Sequence, residues 1–187
     1  MKRLSLLLLA ASACGCFFWG DYPATWEGRY SKATREFADA KDDVHRFYAL
    51  DDAAKAAFET GRFDEARGLA ERALDLAAGM RSDWNYGNAI HDGHMVLGRL
   101  ALKHGDIEAA KRELLAAGAS PGSPQLNSFG PNISLAKDLL ERKEIDTVVE
   151  YFRLCGRFWE MGTDRLRQWT ILARAGETPD FGANLVY

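Results

Sequence analysis

LGRLALKHGDIEAAKRELLAA, residues 97–117, is the stretch on which the reading of the fold turns. Leu97, Ala101 and His104 share one helical face, Gly105-Asp106 interrupts the run, and Ile107, Ala110, Leu114 and Ala117 resume it at spacings of three, four and three. Such spacings put side chains on one side of an α-helix. The stretch therefore predicts two short amphipathic helices joined by a tight turn. Asp106 is a good N-cap, and Glu108 places negative charge in the first turn, where the helix dipole favours it. Gly98, Ala101, Ala110 and Ala117 are small enough for the two backbones to come close.

The same pattern recurs on either side. Aligned on the turn, Gly61, Gly105 and Lys143 form one column, and Phe63, Ile107 and Ile145 the next apolar one. Ala66, Ala110 and Val148 follow, then Ala70, Leu114 and Phe152, then Ala73, Ala117 and Cys155. Upstream of the turn, Ala53, Leu97 and Leu135 align, as do Ala54, Gly98 and Ala136, and Ala57, Ala101 and Leu139. The third copy lacks the turn glycine. A small-residue hairpin that recurs in register resembles the tetratricopeptide repeat, whose period is about 34 residues. Here the spacings are 44 and 38 residues, with the additional residues in the connections at 79–87 and 118–130.

The resemblance covers residues 44–159. It implies an all-α, right-handed superhelical stack of about three tetratricopeptide-like hairpins, over about 44–80, 84–118 and 131–160 of a domain spanning 31–187. No alternating strand-like segment competes with that reading. Residues 165–175, bounded by Thr163 or Asp164 and by Gly176 and Pro179, predict a last helix that caps the final hairpin, with Leu166, Trp169, Ile171, Leu172 and Ala175 as its apolar side. The tail PDFGANLVY is apolar enough to be packed. A second resemblance rests on SPGSPQLNSFGPN, LAKDLLER, YFRLC, FW and PDFGANL, which together look like a recurrent group of bacterial proteins of unassigned function. It covers about the C-terminal two-thirds of the chain and brings no catalytic residues with it.

At the other end, Lys2 and Arg3 precede ten apolar or small residues, 4–13, too few to span a bilayer but suited to a signal peptide. Ala11-Ser12-Ala13-Cys14 resembles the lipobox of bacterial lipoproteins, which implies cleavage after residue 13 and lipid on Cys14. Ordinary secretory cleavage and an uncleaved anchor are the other readings. Gly15, rather than aspartate, follows Cys14 and favours the outer membrane of a cell envelope. Phe17, Phe18, Trp19, Tyr22 and Trp26 crowd residues 14–30, either as a belt at the lipid headgroups or as a cover for the first hairpin. Net charge is −3, and −5 without Lys2 and Arg3, which argues against a nucleic-acid partner. Three cysteines, one of them taken by lipid, do not make a disulfide framework.

Four groups of residues could carry chemistry. His91 and His94, three apart on a predicted helix, could share a metal ion. The alternative is one packing and one surface histidine, since the repeat places a packing aromatic at His94. Asn85, Asn88 and His91 open that helix, while Gln125, Asn127 and Asn132 lie in GASPGSPQLNSFGPN, residues 118–132, a break in the helical pattern pinned by Leu126 and Phe129. Together they could form a patch for a small polar ligand, or they could satisfy the backbone of an irregular loop. No nucleophile elbow or phosphate-binding glycine loop is present. The third group is Cys14.

The fourth is a column that is basic in all three hairpins, Lys55, Arg99 and Lys137. If it faces the concave groove, it would suit an extended acidic peptide or a chain-terminal carboxylate. If it pairs with Asp51, Glu59 and Glu141, it is a set of weak surface salt bridges. The sequence thus favours a non-catalytic protein-interaction scaffold without cofactor or metal, anchored by lipid. Its alternative is a small-ligand-binding or metal-dependent enzyme built on His91, His94 and the 118–132 loop.

Overall fold

The computed structural model describes residues 23–186. The signal segment, Cys14 and the aromatics Phe17, Phe18, Trp19 and Tyr22 lie outside them. The described residues are all-α: α1 (Trp26–Asp39), α2 (Asp43–Glu59), α3 (Phe63–Gly79), α4 (Tyr86–Lys103), α5 (Ile107–Gly118), α6 (Pro124–Phe129), α7 (Ser134–Leu140), α8 (Ile145–Cys155) and α9 (Thr163–Arg174). Single 3-10 turns stand at Glu160–Gly162 and Gly182–Leu185. None of these helices is long and apolar enough to cross a membrane.

Each registered turn closes in the same way. Gly61 and Gly105 both have φ of +82°, and Lys143, in the same column, has φ of +66°. The next residue's N–H reaches back five residues in every case: Arg62 to Ala57 O (2.8 Å), Asp106 to Ala101 O (3.0 Å) and Glu144 to Leu139 O (3.1 Å). This is the Schellman closure, in which a left-handed residue ends one helix and satisfies its last carbonyls. Gly176 ends α9 identically, with φ of +81° and Glu177 N–H on Leu172 O. Degenerate in sequence at Lys143, the third turn is therefore intact in geometry.

The turns fold α2 onto α3, α4 onto α5 and α7 onto α8, and α1 packs on α2. Between pairs, α2 meets α4, α3 meets α4, and α5 meets both α7 and α8; α9 then covers α8. Ala66, Ala110 and Val148 are fully buried, as are Ala70 and Leu114 with Phe152, and Ala73, Ala117 and Cys155. Phe63, Ile107 and Ile145 are partly buried against the core. The cysteine is a free thiol, pushed up above its ordinary range by burial.

Several local expectations are corrected. Helix α1 begins at Trp26, capped by Thr25, so residues 26–30, grouped above with the aromatic segment 14–30, belong to a helix that packs on α2. The 118–132 break contains a helix of its own, because Ser123 caps it and Pro124 occupies its first turn. Leu126 is buried there, but Phe129 is half exposed. On α9, Leu166, Trp169 and Ala173 face inward while Ile171 points to solvent. Asn184 pins the tail, donating from Nδ2 to Phe129 O (3.1 Å) and Pro131 O (3.0 Å) and accepting from Ile133 N–H through its main chain (2.8 Å).

A lysine in the left-handed region carries a steric cost that glycine lacks. Lys143→Gly is therefore expected to raise the stability of the protein by about 0.5–1 kcal/mol, net of the added freedom of the unfolded chain. Urea unfolding of the two proteins measures it; a loss of stability would show that Lys143 is held there by something other than the turn.

Candidate functional site

Helix α4 carries most of the polar chemistry. At its start, Gly87 accepts the 118–132 segment so closely that a Cβ would lie 1.8 Å from the Gly122 carbonyl oxygen. Only glycine fits there. Ser120 Oγ donates to Gly87 O (2.7 Å) and in turn accepts from Gly122 N–H (3.1 Å), while Ser123 Oγ donates to Asn88 Oδ1. Asn88 Nδ2 donates to Asn85 Oδ1 (2.8 Å) and reaches Gln125 Oε1 (3.4 Å). Asn85 Nδ2 donates to Asp51 Oδ2 on α2 (2.9 Å).

Of the polar patch, then, Asn85, Asn88 and Gln125 form one hydrogen-bonded chain. Asn127 is exposed and stands apart from it. His91 and Asn132 belong to a second, deeper chain. Lys55 Nζ donates to Asp92 Oδ2 (2.8 Å) and lies 3.3 Å from Asp52 Oδ1. Asp92 Oδ1 is 2.8 Å from His91 Nδ1, His91 Nε2 is 3.0 Å from the Tyr151 hydroxyl, and that hydroxyl donates to Asn132 O (2.7 Å). His91 and Tyr151 are fully buried. The chain crosses from α2 through α4 to α8 and so joins all three helix pairs.

Charge in this cluster is strongly perturbed. Burial alone would raise the Asp92 carboxyl, but the Lys55 ammonium and the His91 contact outweigh it and hold Asp92 down at about 2. Burial pulls the Lys55 ammonium the other way, and Asp92 overrides it, leaving Lys55 above the ordinary lysine range. Asp51 is pushed well above the carboxylate range, first by burial and then by the charge of Asp92. One of its oxygens, Oδ1, is buried without a hydrogen-bond partner, which favours the protonated, neutral side chain.

The structure separates the two histidines. His91 Nδ1 is taken by Asp92, whereas His94 Nδ1 lies 2.7 Å from Glu113 Oε2 on α5. Among the described residues, no group of three or more His, Cys, Asp or Glu side chains could hold a metal ion.

The basic column divides by depth. Lys55 is the innermost, with a side chain 18% exposed and its ammonium between Asp92 and Asp52. Arg99 reaches Glu59 on α2 and, through Nε, Asp138 on α7 (3.3 Å), while its guanidinium lies 4.3 Å above the Phe58 ring. Lys137 pairs with Glu141 one turn further along its own helix. A narrow cleft opens beside these residues, lined by Lys55, Phe58, Arg99, Asn132 and Ser134, with Trp26 of α1 at its wall. Its enclosed volume, about 20 Å³, admits a water-sized group. Near the two ends of the described residues, Arg29 Nη1 donates to Val186 O (3.4 Å).

Asp92 lies between the two histidines that the sequence singles out but carries no signal of its own, and nothing marks Tyr151. It stands in the apolar run YFRLC, and only the inward direction of its hydroxyl gives it a polar role. Compared with known proteins, the chain matches no family model, no curated protein and no solved structure.

Removing Lys55 leaves Asp92 buried beside no ammonium, whereas Lys137 and Glu141 are 36% and 51% exposed. Lys55→Ala is expected to cost about 3 kcal/mol, and Lys137→Ala no more than about 0.5 kcal/mol. Denaturant titration of both variants checks this; equal, small effects would mean that Lys55 is not the counterion of the cluster.

Proposed function

We propose that the protein is a non-catalytic interaction scaffold of the bacterial cell envelope, a tetratricopeptide-like right-handed stack that takes a protein or peptide along the face made by α2, α4 and α7. The observation that supports it is the cleft beside Arg99, where polar groups (Asn132, Ser134) and apolar walls (Phe58, Met95, Val96) converge between successive helix pairs. At its size the cleft itself accepts a water-sized group, one oxygen of a partner's carboxylate rather than a whole peptide. Every cation of the column is already paired, so an acidic partner would bind by exchange: its carboxylates replace Glu59 at Arg99 or Glu141 at Lys137. These partly exposed pairs are worth little in water, about 0–1 kcal/mol each, so exchanging them costs little. Lys55 supports the face from below.

A lipid-free chain beginning at residue 23 is the reagent for the test. It should capture a partner from envelope membranes, and Arg99→Ala with Lys137→Ala should cut capture at least about tenfold, the equivalent of about 1.4 kcal/mol, without loss of helicity. Undiminished capture by the double variant would refute this face as the binding surface.

In this proposal lipid on Cys14 holds the protein to the membrane, with the outer membrane as the favoured site. Cys14→Ser should move the full chain from the membrane to the soluble fraction. Wild-type protein that is membrane-bound yet carries no lipid at Cys14 would require a different anchor.

A further inference from the structure

The cleft beside Arg99 has room for one oxygen atom, and Lys55, Arg99 and Lys137 are already paired. The larger space lies elsewhere. Between the C-terminal half of α1 and the N-terminal half of α2 runs a groove of about 680 Å³, a volume typical of ligand sites. Arg35 and Asp39 stand on its α1 wall, Lys41 on the link between the helices, and His45 and Tyr48 on its α2 wall.

The charges of the groove differ from those of the cleft in being uncommitted. Lys32 pairs with Glu36 (2.6 Å), and His45 Nδ1 lies 2.7 Å from Asp42 Oδ1. Arg35, Asp39 and Lys41 are exposed and enter no ion pair among the described residues. Two open cations thus stand against one open anion, in a chain whose net charge is −3. The α2 wall is aromatic and fixed in place. Tyr48 donates its hydroxyl to Asp83 Oδ2 (2.8 Å), and its ring centre is 5.1 Å from that of Trp84, which is 47% exposed. Aromatic rings and arginine are the side chains enriched where proteins bind one another.

Groove and cleft belong to one face of α2. His45, Tyr48, Asp52, Lys55 and Glu59 recur at spacings of three, four, three and four, which makes them a single helical stripe. His45 and Tyr48 line the groove, Lys55 and Glu59 the cleft. From Tyr48 to Lys55 is about 10 Å along the helix axis, a distance that about three residues of extended chain cover. Asp52, between the two sites, is turned to Lys55 (3.3 Å). The anions of a segment that spans both sites therefore belong at its two ends.

Building on the scaffold reading above, we propose that the groove between α1 and α2 is the seat for an acidic segment of the partner, with Arg35 and Lys41 as its anion-binding residues and Asp39 as a charge that weakens the site.

Hexaglutamate is the probe and hexalysine its counterpart, each titrated calorimetrically into the full chain at about 0.01 M ionic strength, where charges act over about 30 Å. The wild-type protein should bind hexaglutamate and not hexalysine. Arg35→Ala with Lys41→Ala should weaken that binding at least about tenfold, and Asp39→Asn should strengthen it about threefold, because removing an opposite and a like charge shifts affinity in opposite directions. Helicity should not change, since all three side chains are exposed. Absence of hexaglutamate binding, equal affinity for the two peptides, or an Asp39→Asn variant that gains nothing would overturn the groove site. Binding that survives Arg35→Ala with Lys41→Ala but is lost with Arg99→Ala and Lys137→Ala would overturn it too, while sustaining the face proposed above.

Discussion

Every helix pair hangs on one left-handed residue and on the hydrogen bond that the following N–H sends five residues back. Once that closure is made, the second helix of a pair has little choice of direction, and the small columns on both helices come into contact. Gly98 shows how tight the contact is: a Cβ there would lie 2.2 Å from Leu135 Cδ2 and 2.9 Å from Glu113 Cβ. Local geometry thus sets the pair, and small side chains set the spacing between pairs. Neither term decides how far one pair is rotated against the next. That falls to the groups that cross between pairs, above all the chain from Lys55 through Asp92 and His91 to Tyr151.

What was legible in the sequence follows from this division. Turn and columns are local and periodic, so the helix pairs could be read directly, and the third could be placed despite its lysine because Ile145, Val148 and Phe152 kept the register. Helix 124–129 was missed because its signal is two residues, Ser123 and Pro124, in a stretch otherwise dense in loop formers. Depth was not legible either. Periodicity assigns a residue to a face, and Lys55, Arg99 and Lys137 do share one column. It cannot show that Asp92, 37 residues away, would stand against the first of them and leave the other two in partly exposed pairs. The polar patch split for the same reason: Asn85, Asn88 and Gln125 meet through the approach of Gly122 to Gly87, while His91 turns into the core toward a tyrosine with no sequence signal.

Burying so many ionisable groups is costly, and in hairpin arrays an apolar residue could fill the same volume. A buried charge pair is seldom a net gain over hydrophobic packing. What it adds is directional: Lys55, Asp92 and His91 are satisfied in one mutual arrangement of α2, α4 and α8, and a slipped pair would strand at least one charge. The unpartnered Asp51 oxygen marks where this satisfaction stops. Protonation relieves the charge there, where Asp51 meets the amide of Asn85.

The position of α1 bears on how any partner could reach the face. Trp26 stands at the cleft, and α1 is held to the following helices by Tyr30 on Glu65 and by Arg62 on Glu27. Arg29 extends from the same helix to the Val186 carbonyl, so α1 also touches the tail that follows α9. That single exposed bond is weak beside the packing of α1 on α2. A partner that enters the cleft meets Trp26 at its wall, with the Arg29 guanidinium 4.6 Å from the centre of the indole ring. An acidic group reaching Arg99 meets Phe58 already stacked under the guanidinium, an apolar support that turns the cation's edge toward carboxylates, at present those of Glu59 and Asp138.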